Sequence, residues 1–137
     1  MNRYGSVVHD PTAILHTGIR LDRAPHEHLA DAVLDWRQSD TTTPPPLDIE
    51  QITLQLTCYA RLLTDQVRSA YSRLPHSHLA AVLGRITSAE ATRQLSVHRS
   101  LTGPLAHAQS RARLVQALHR ALDRADAARN AAARPTP

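Results

Sequence analysis

Residues 48–74 read DIEQITLQLTCYARLLTDQVRSAYSRL and form the longest strongly patterned run of the chain. Apolar or small side chains recur there at steps of three and four residues, which is the period of one helix face. They are Ile49, Ile52, Leu56, Tyr59, Leu63, Val67, Ala70 and Leu74. The pattern predicts a helix over Asp48–Leu74, roughly 40 Å long, against which the other segments pack.

Both ends of this predicted helix carry boundary signals. Asp48 is placed to cap the free amides, and Gln51 stands at the capping-box position. Leu47 and Ile52 are spaced for a hydrophobic staple. Pro75 marks the far end, because the residue before a proline resists helical geometry.

A second, shorter apolar stripe runs along Leu54, Cys58 and Leu62, largely opposite the first. A helix that is apolar on two sides usually has two neighbours. The stripe therefore predicts either a central position inside one bundle, which is favoured, or half of a homodimer interface.

The composition favours one domain with an aliphatic core. The chain has 137 residues, no Phe, one Trp and three Tyr, so its core must come from Leu, Ile, Val and Ala. All sixteen basic residues are Arg, and the single cysteine, Cys58, excludes an intramolecular disulfide. Neither a signal peptide nor a membrane span is recognisable, which predicts a cytoplasmic protein with no membrane partner.

Charge is concentrated at the C-terminal end. Residues 104–137 contain six Arg and two Asp, a balance of +4, whereas residues 1–103 contain ten Arg and ten acidic residues and sum to zero. The whole formal charge of +4 therefore belongs to the C-terminal segment.

The other segments also carry helical patterns, and no strand pattern competes with them. Helices are predicted over about Pro11–Leu21, from Pro25 to near Gln38, from after Pro75 to about His98, and from Gly103-Pro104 onward. Short links between long amphipathic helices predict antiparallel neighbours. The predicted fold is all-α: an antiparallel bundle of three long helices, one shorter helix and a short N-terminal helix, with one domain over 1–130 and a disordered tail over 131–137.

Two of these helices have a predicted apolar face. The helix after Pro75 is expected to bury Leu79, Val82, Leu83, Ile86 and Val97. The last helix is expected to bury Leu105, Ala108, Ala112, Val115, Leu118, Leu122 and Ala125.

Three runs carry a resemblance: LQLTCYARLLTDQVRSAYSRLP, LGRITSAEATRQLS and LAHAQSRARLVQALHRAL. Together they resemble a family of small uncharacterised helical proteins of GC-rich actinobacteria, filed as associated with natural-product biosynthesis. The likeness covers roughly residues 47–124 and consists mostly of spaced Leu, Ala and Arg. It implies a genomic neighbourhood and supplies no catalytic motif.

The sequence repeats one histidine pattern, PHEHLA at 25–30 and PHSHLA at 75–80. His26, His28, His76 and His78 are residue types that bind zinc, copper or nickel. Against a metal site, residues two apart on a helix point to different faces, and a helix N-terminus disfavours a cation. We therefore expect solvated histidines and no metal or other cofactor.

Glu90 and Arg93 lie near the centre of the apolar stripe predicted for the helix after Pro75. Charged groups there are costly unless paired, and three residues apart they can pair with each other. The favoured interpretation is a structural ion pair whose stems lie along the core edge while its charged heads reach water. The alternative is a polar spot in an inter-helix pocket that orients a small ligand.

Arg113, Arg120 and Arg124 form an exposed row on the last helix, about 140–180° from its core line. The row is either an ordinary solvated face, which is favoured, or a contact surface for nucleic acid backbone or an acidic protein. No phosphate loop, nucleophile elbow, zinc-protease, CxxC or calcium-loop motif occurs.

These observations predict a non-catalytic helical interaction or accessory protein that forms a homodimer or binds another protein. The resemblance adds a link to natural-product biosynthesis. The alternatives are a small enzyme or ligand-binding protein that uses Glu90 and Arg93, and a nucleic-acid-binding regulator that uses the last helix.

Overall fold

The computed structural model describes residues 22–37, 43–75, 78–96 and 103–133, and within these ranges it is all-helical. This confirms the predicted all-α class. The helices are α1 (Arg23–Asp35), α2 (Pro46–Ser72), α3 (Leu79–Leu95) and α4 (Pro104–Ala133). The N-terminal helix predicted over Pro11–Leu21 lies outside the described residues. In the same ranges, no helix combines the length and apolarity needed to cross a bilayer.

The two ends of the predicted long helix differ from the prediction by two residues each. α2 begins at Pro46, with Pro45 as its N-cap, and Asp48 makes no capping hydrogen bond. Proline fixes a helical φ, so the first turn closes through the Asp48 and Ile49 amides, which donate to the Pro45 carbonyl at 3.0 and 3.1 Å. Leu47 is 75% exposed, so the predicted hydrophobic staple is wrong.

The core lies mainly between α2 and α4 and is aliphatic, as the composition predicted. Its largest fully buried side chains are Ile52, Leu56, Leu63, Leu118, Val33, Val67 and Val115. Seven of the eight residues predicted for the main stripe of α2 are buried, and Ala70 is half-buried. α4 extends to Ala133, which is three residues into the predicted tail.

Side-chain contacts give the relative directions of the helices. Arg23 contacts Asp123 and the Gln109 amide donates to the Val33 carbonyl at 3.2 Å, so α1 and α4 run in opposite directions. The Arg61 guanidinium donates to the Leu95 carbonyl, whereas Tyr71 faces Gly84 near the other end of the pair. α3 therefore runs antiparallel to α2.

The predicted buried face of α3 is wrong. Its buried residues are Ala81, Gly84, Ser88, Ala91 and Leu95, whereas Leu79, Leu83 and Ile86 are 69%, 41% and 60% exposed. Val82 is half-buried and Val97 lies outside the described residues. The reason is close packing: a Cβ at position 84 would lie 2.2 Å from Cγ of Tyr71, so α3 approaches α2 through its small residues.

Among the residues that the structure describes, no helix covers the second stripe of α2 at Leu54 and Cys58. Leu54 is 55% exposed, Cys58 is exposed and Leu62 is half-buried. α3 ends at Leu95 beside Arg61, and Leu54 and Cys58 lie on the same side of α2 beyond that end. The favoured intramolecular interpretation of the stripe therefore fails for Leu54 and Cys58.

Candidate functional site: the groove between α3 and α4

A groove of 580 Å³ lies between α3 and α4. Its apolar lining residues are Ile86 and Ala91 on α3 and Leu114 and Ala117 on α4, of which Ala91 and Leu114 are buried beneath it. Polar side chains line the remainder: Thr87, Glu90 and Gln94 on α3, and Ser110, Arg113 and Arg120 on α4. A row of exposed apolar residues on α3, which we call the α3 row (Leu79, Leu83 and Ile86), reaches the groove at Ile86.

The groove unites two sets of residues that the sequence left separate. Glu90 lines it from α3, and Arg113 and Arg120 line it from α4. The two arginines are seven residues apart, which is roughly 10 Å along a helix. Arg93 and Arg124 are not among the lining residues, so the structure divides each predicted set.

Glu90 and Arg93 do form the predicted pair, but in solvent. The Arg93 guanidinium donates to Glu90 from Nε at 3.1 Å and from Nη2 at 2.6 Å, and the Gln94 amide adds a bond of 3.0 Å. The side chains of Arg93 and Glu90 are 74% and 45% exposed. The charged groups lie in solvent, whereas the stripe along which their aliphatic stems were expected to lie is itself exposed.

Hydrogen bonding fixes the charge state of this carboxylate. The Arg93 guanidinium and the Gln94 amide together hold the pKa of Glu90 below its ordinary value. A general acid or base near neutral pH needs a raised carboxyl pKa. Because Glu90 is already bound to Arg93, the two arginines of α4 leave the groove with an excess of positive charge.

A buried polar cluster joins α1, α2 and α4, and the sequence analysis did not predict it. The rings of His26 and Tyr59 stack with 3.7 Å between centroids and 2° between planes. The Tyr59 hydroxyl lies 2.6 Å from Nε2 of His119. Arg23 forms two bonds to Asp123, of 2.6 and 2.9 Å, and also pairs with Glu27.

Residues 25–132, which include the groove and nearly all of this cluster, match the model of a family of unknown function (DUF6415). The chain belongs to this family. No match was found to a curated protein or to a solved structure. The DUF6415 match supplies no activity, so an assignment of function must come from the geometry of the residues.

Burial determines the protonation states of His26, Tyr59 and His119 in this DUF6415 protein. Desolvation lowers the pKa values of His119 and His26, and it raises the pKa of Tyr59 to about 12. One hydrogen bond joins the Tyr59 hydroxyl to Nε2 of neutral His119, and the tautomer of the ring sets which atom donates; the other ring nitrogen is Nδ1. Glu27 is 3.9 Å from that nitrogen, and because burial lowers the pKa of His119 the ring is neutral at neutral pH and the two do not form an ion pair.

The cluster is closed to substrates and fixes α1 in place. His26, Tyr59 and His119 are buried, so a reactant has no access to their polar atoms. Nδ1 of His26 donates a hydrogen bond of 2.8 Å to the Asp22 carbonyl oxygen, and Nε2 of His26 is buried without a hydrogen bond. We interpret the cluster as a structural attachment of α1, strengthened at the surface by Arg23 and Asp123.

The four candidate metal ligands have different environments. His26 is buried against Tyr59, His28 is exposed, and His76 lies outside the described residues. Nδ1 of His78 accepts a hydrogen bond of 3.0 Å from the Ala80 amide and caps α3. In the part of the chain that the structure describes, no three His, Cys, Asp or Glu residues are grouped to hold a metal ion.

Part of the cluster could have been found from the sequence. His119 lies next to the predicted core residue Leu118, and His26 stands one turn before Ala30, which is buried. A histidine beside a core stripe is a candidate for a buried polar contact. Its partner, Tyr59, is 60 residues from His119, so the sequence gives no signal that these two meet.

Proposed function

We propose that this DUF6415 protein is a non-catalytic interaction protein that binds a helix of a protein partner along the α3 row and the α3–α4 groove. The observation that carries the proposal is the α3 row itself. Leu79, Leu83 and Ile86 are spaced by three and four residues and exposed on one side of α3. Contiguous exposed apolar surface of this kind marks interaction sites on soluble proteins.

The groove defines the chemistry of the partner. A trough between two packed helices accepts an amphipathic helix, whose apolar side chains would contact Ile86 and Ala117. Arg113 and Arg120 favour acidic side chains on the edge of that helix. The expected partner segment is therefore an acidic amphipathic helix.

The rival functions account for fewer observations. Glu90 is exposed, and its pKa is lowered rather than raised, so it is poorly suited to acid–base catalysis. Nucleic acid backbone would satisfy Arg113 and Arg120 but would leave the apolar α3 row uncovered. The helix-binding proposal explains the charges and the apolar row together.

The setting of this interaction also belongs to the proposal. We infer that α1–α4 form an antiparallel bundle whose open side is the α3 row, and that the protein acts in the cytoplasm as an accessory factor. The proposed link to natural-product biosynthesis is supported by the sequence resemblance alone.

A peptide titration tests helix binding. We would add a designed acidic amphipathic helical peptide to protein with labelled isoleucine methyl groups and follow the Ile86 signal. A basic peptide with the same apolar positions is the matched control. The acidic peptide should shift the Ile86 signal, the basic one should not, and Arg113→Glu with Arg120→Glu should reverse the preference.

Two outcomes would contradict the proposal. One is an Ile86 signal that neither peptide moves at millimolar concentration. The other is salt-sensitive binding of a DNA duplex that requires Arg113 and Arg120 but leaves Ile86 unmoved, because this is the signature of a phosphate-binding face.

A further inference from the structure

The exposed large apolar residues of the described chain fall on two faces. Three of them form the α3 row. The other two, Leu47 and Leu54, are 75% and 55% exposed and lie on α2. With Glu50 and Cys58 they form one side of that helix at steps of three and four residues. We call Leu47, Glu50, Leu54 and Cys58 the α2 face.

The α2 face has the chemistry that the groove requires. It presents two leucines seven residues apart with the exposed carboxylate of Glu50 between them, and exposed Asp48 lies beside it. On the other surface, Leu79 and Ile86 are also seven residues apart, as are Arg113 and Arg120. All these pairs are therefore separated by roughly 10 Å along their helices.

We propose that the helix bound by the groove is the α2 face of a second copy of this chain. Leu47 and Leu54 of one copy pack against the α3 row of the other, and Glu50 pairs with Arg113. This inference rests on the proposed function and names its partner. One contact would cover all five exposed apolar residues of the two faces.

The arrangement is reciprocal. In a two-fold dimer each copy contributes one α2 face and one groove, so the same contact forms twice. Forming the contact twice doubles the buried area, and stable protein interfaces bury roughly 1,600 Å² in total. Cys58 and Leu54, both predicted as interface residues from the sequence, then lie inside the contact.

A charge-exchange experiment tests the pairing. Glu50→Arg alone and Arg113→Glu alone each place like charges in both contacts of the dimer, so each variant should weaken self-association at least about tenfold. In an equimolar mixture, the mixed dimer contains one parental contact and one reversed but complementary contact. Sedimentation equilibrium should therefore show that the mixture recovers the dimer.

Matched controls at the C-terminal end of α1 and just beyond it, which we call the α1 controls, separate this effect from net charge. Asp35→Arg and Arg37→Glu make the same charge changes at exposed positions outside both faces, and they should leave the dimer unchanged. Leu54→Glu should give a monomer with unchanged helical circular dichroism. All the substituted residues are exposed, so the variants are expected to fold.

The outcomes distinguish this inference from the proposed function. A monomeric parent at millimolar concentration, or a mixture that stays monomeric while the single variants dissociate, overturns pairing through a second copy. The Ile86 titration then decides separately whether the groove binds a helix of another protein. Dissociation caused by the α1 controls would also overturn the inference, because it would show a nonspecific charge effect.

Discussion

α1 and α3 both pack on the α2 and α4 helices, but they do so with opposite chemistry. α1 buries His26 against Tyr59 and joins α4 through Arg23 and Asp123. α3 buries Ala81, Gly84, Ser88 and Ala91 and leaves Leu79, Leu83 and Ile86 in solvent. The more polar contact is thus the sealed one, and the more apolar helix, apart from Leu95, buries small residues and leaves its large side chains in solvent.

The difference shows that side-chain polarity alone does not choose the buried face of a helix. α3 approaches so closely that the Tyr71 ring occupies the space of a missing Cβ at Gly84. At Gly84 this contact gains dispersion energy from small groups and has no room for leucine. α1 tolerates buried polar rings because stacking and hydrogen bonds replace much of the lost hydration.

Gly84→Val gives the largest expected effect. Its Cβ would overlap Cγ of Tyr71, an atom near the root of a side chain whose hydroxyl is fixed to the Ala121 carbonyl at 2.7 Å. We expect a loss of about 3 kcal/mol in unfolding free energy, measured by chemical denaturation. Ala89→Val, at an exposed site of α3, should cost only about 0.5–1 kcal/mol from helix propensity. Equal losses would mean that α3 does not approach α2 through Gly84.

Tyr59→Phe tests the α1 side of the comparison. The substitution keeps the ring that stacks on His26 but leaves Nε2 of His119 buried without its partner, at a cost of about 1–3 kcal/mol. Tyr71→Phe is the control, because the Ala121 carbonyl keeps its bond within α4 and the cost should be nearer 0.5–1.5 kcal/mol. If Tyr59→Phe were neutral by denaturant midpoint, the cluster would not stabilise the fold.

A pH dependence should accompany the buried histidines. The folded-state pKa values of His26 and His119 are lowered by burial, whereas their unfolded values are about 6.5. Below that pH the unfolded chain binds protons that the folded chain excludes, so stability is complete above it and falls as pH drops from about 7 to 5. His119→Gln should make this decline shallower in denaturation curves. A parent whose stability does not change across this range would contradict neutral burial.

Polar substitutions in the α3 row should change stability little. Leu79→Gln and Ile86→Gln remove exposed side chains, so we expect changes within about 0.5 kcal/mol. Thermal denaturation at protein concentrations that keep the chain monomeric is the suitable measurement. A large loss would show that another part of the chain covers the row.

The smallest expected effect concerns Glu90 and Arg93. Both groups are exposed, so Glu90→Gln and Arg93→Gln, singly or together, should leave the denaturation midpoint unchanged within error. A strongly non-additive double-mutant cycle would contradict this and would indicate a substantially buried pair.

The helical character of the chain, its aliphatic core and the main stripe of α2 are local properties, and the sequence determined them. The period of apolar residues sets the buried face of α2 because its large aliphatic residues make the main contact with α4. Helix periodicity also gives other residues a defined position on their own helix, which is why the sequence could single them out. They are Leu54, Cys58, Glu90, Arg113 and Arg120.

Tertiary structure decided which of these residues share a surface. The buried face of α3 depended on how closely Gly84 could approach Tyr71, and period alone does not give that distance. The contact between Tyr59 and His119 brings together residues 60 positions apart. The groove is lined by Glu90 from α3 and by Arg113 from α4. Helix periodicity gives the direction in which a side chain points around the axis of its own helix. These contacts depend instead on the distance and register between the axes of different helices, which are set only when the helices pack.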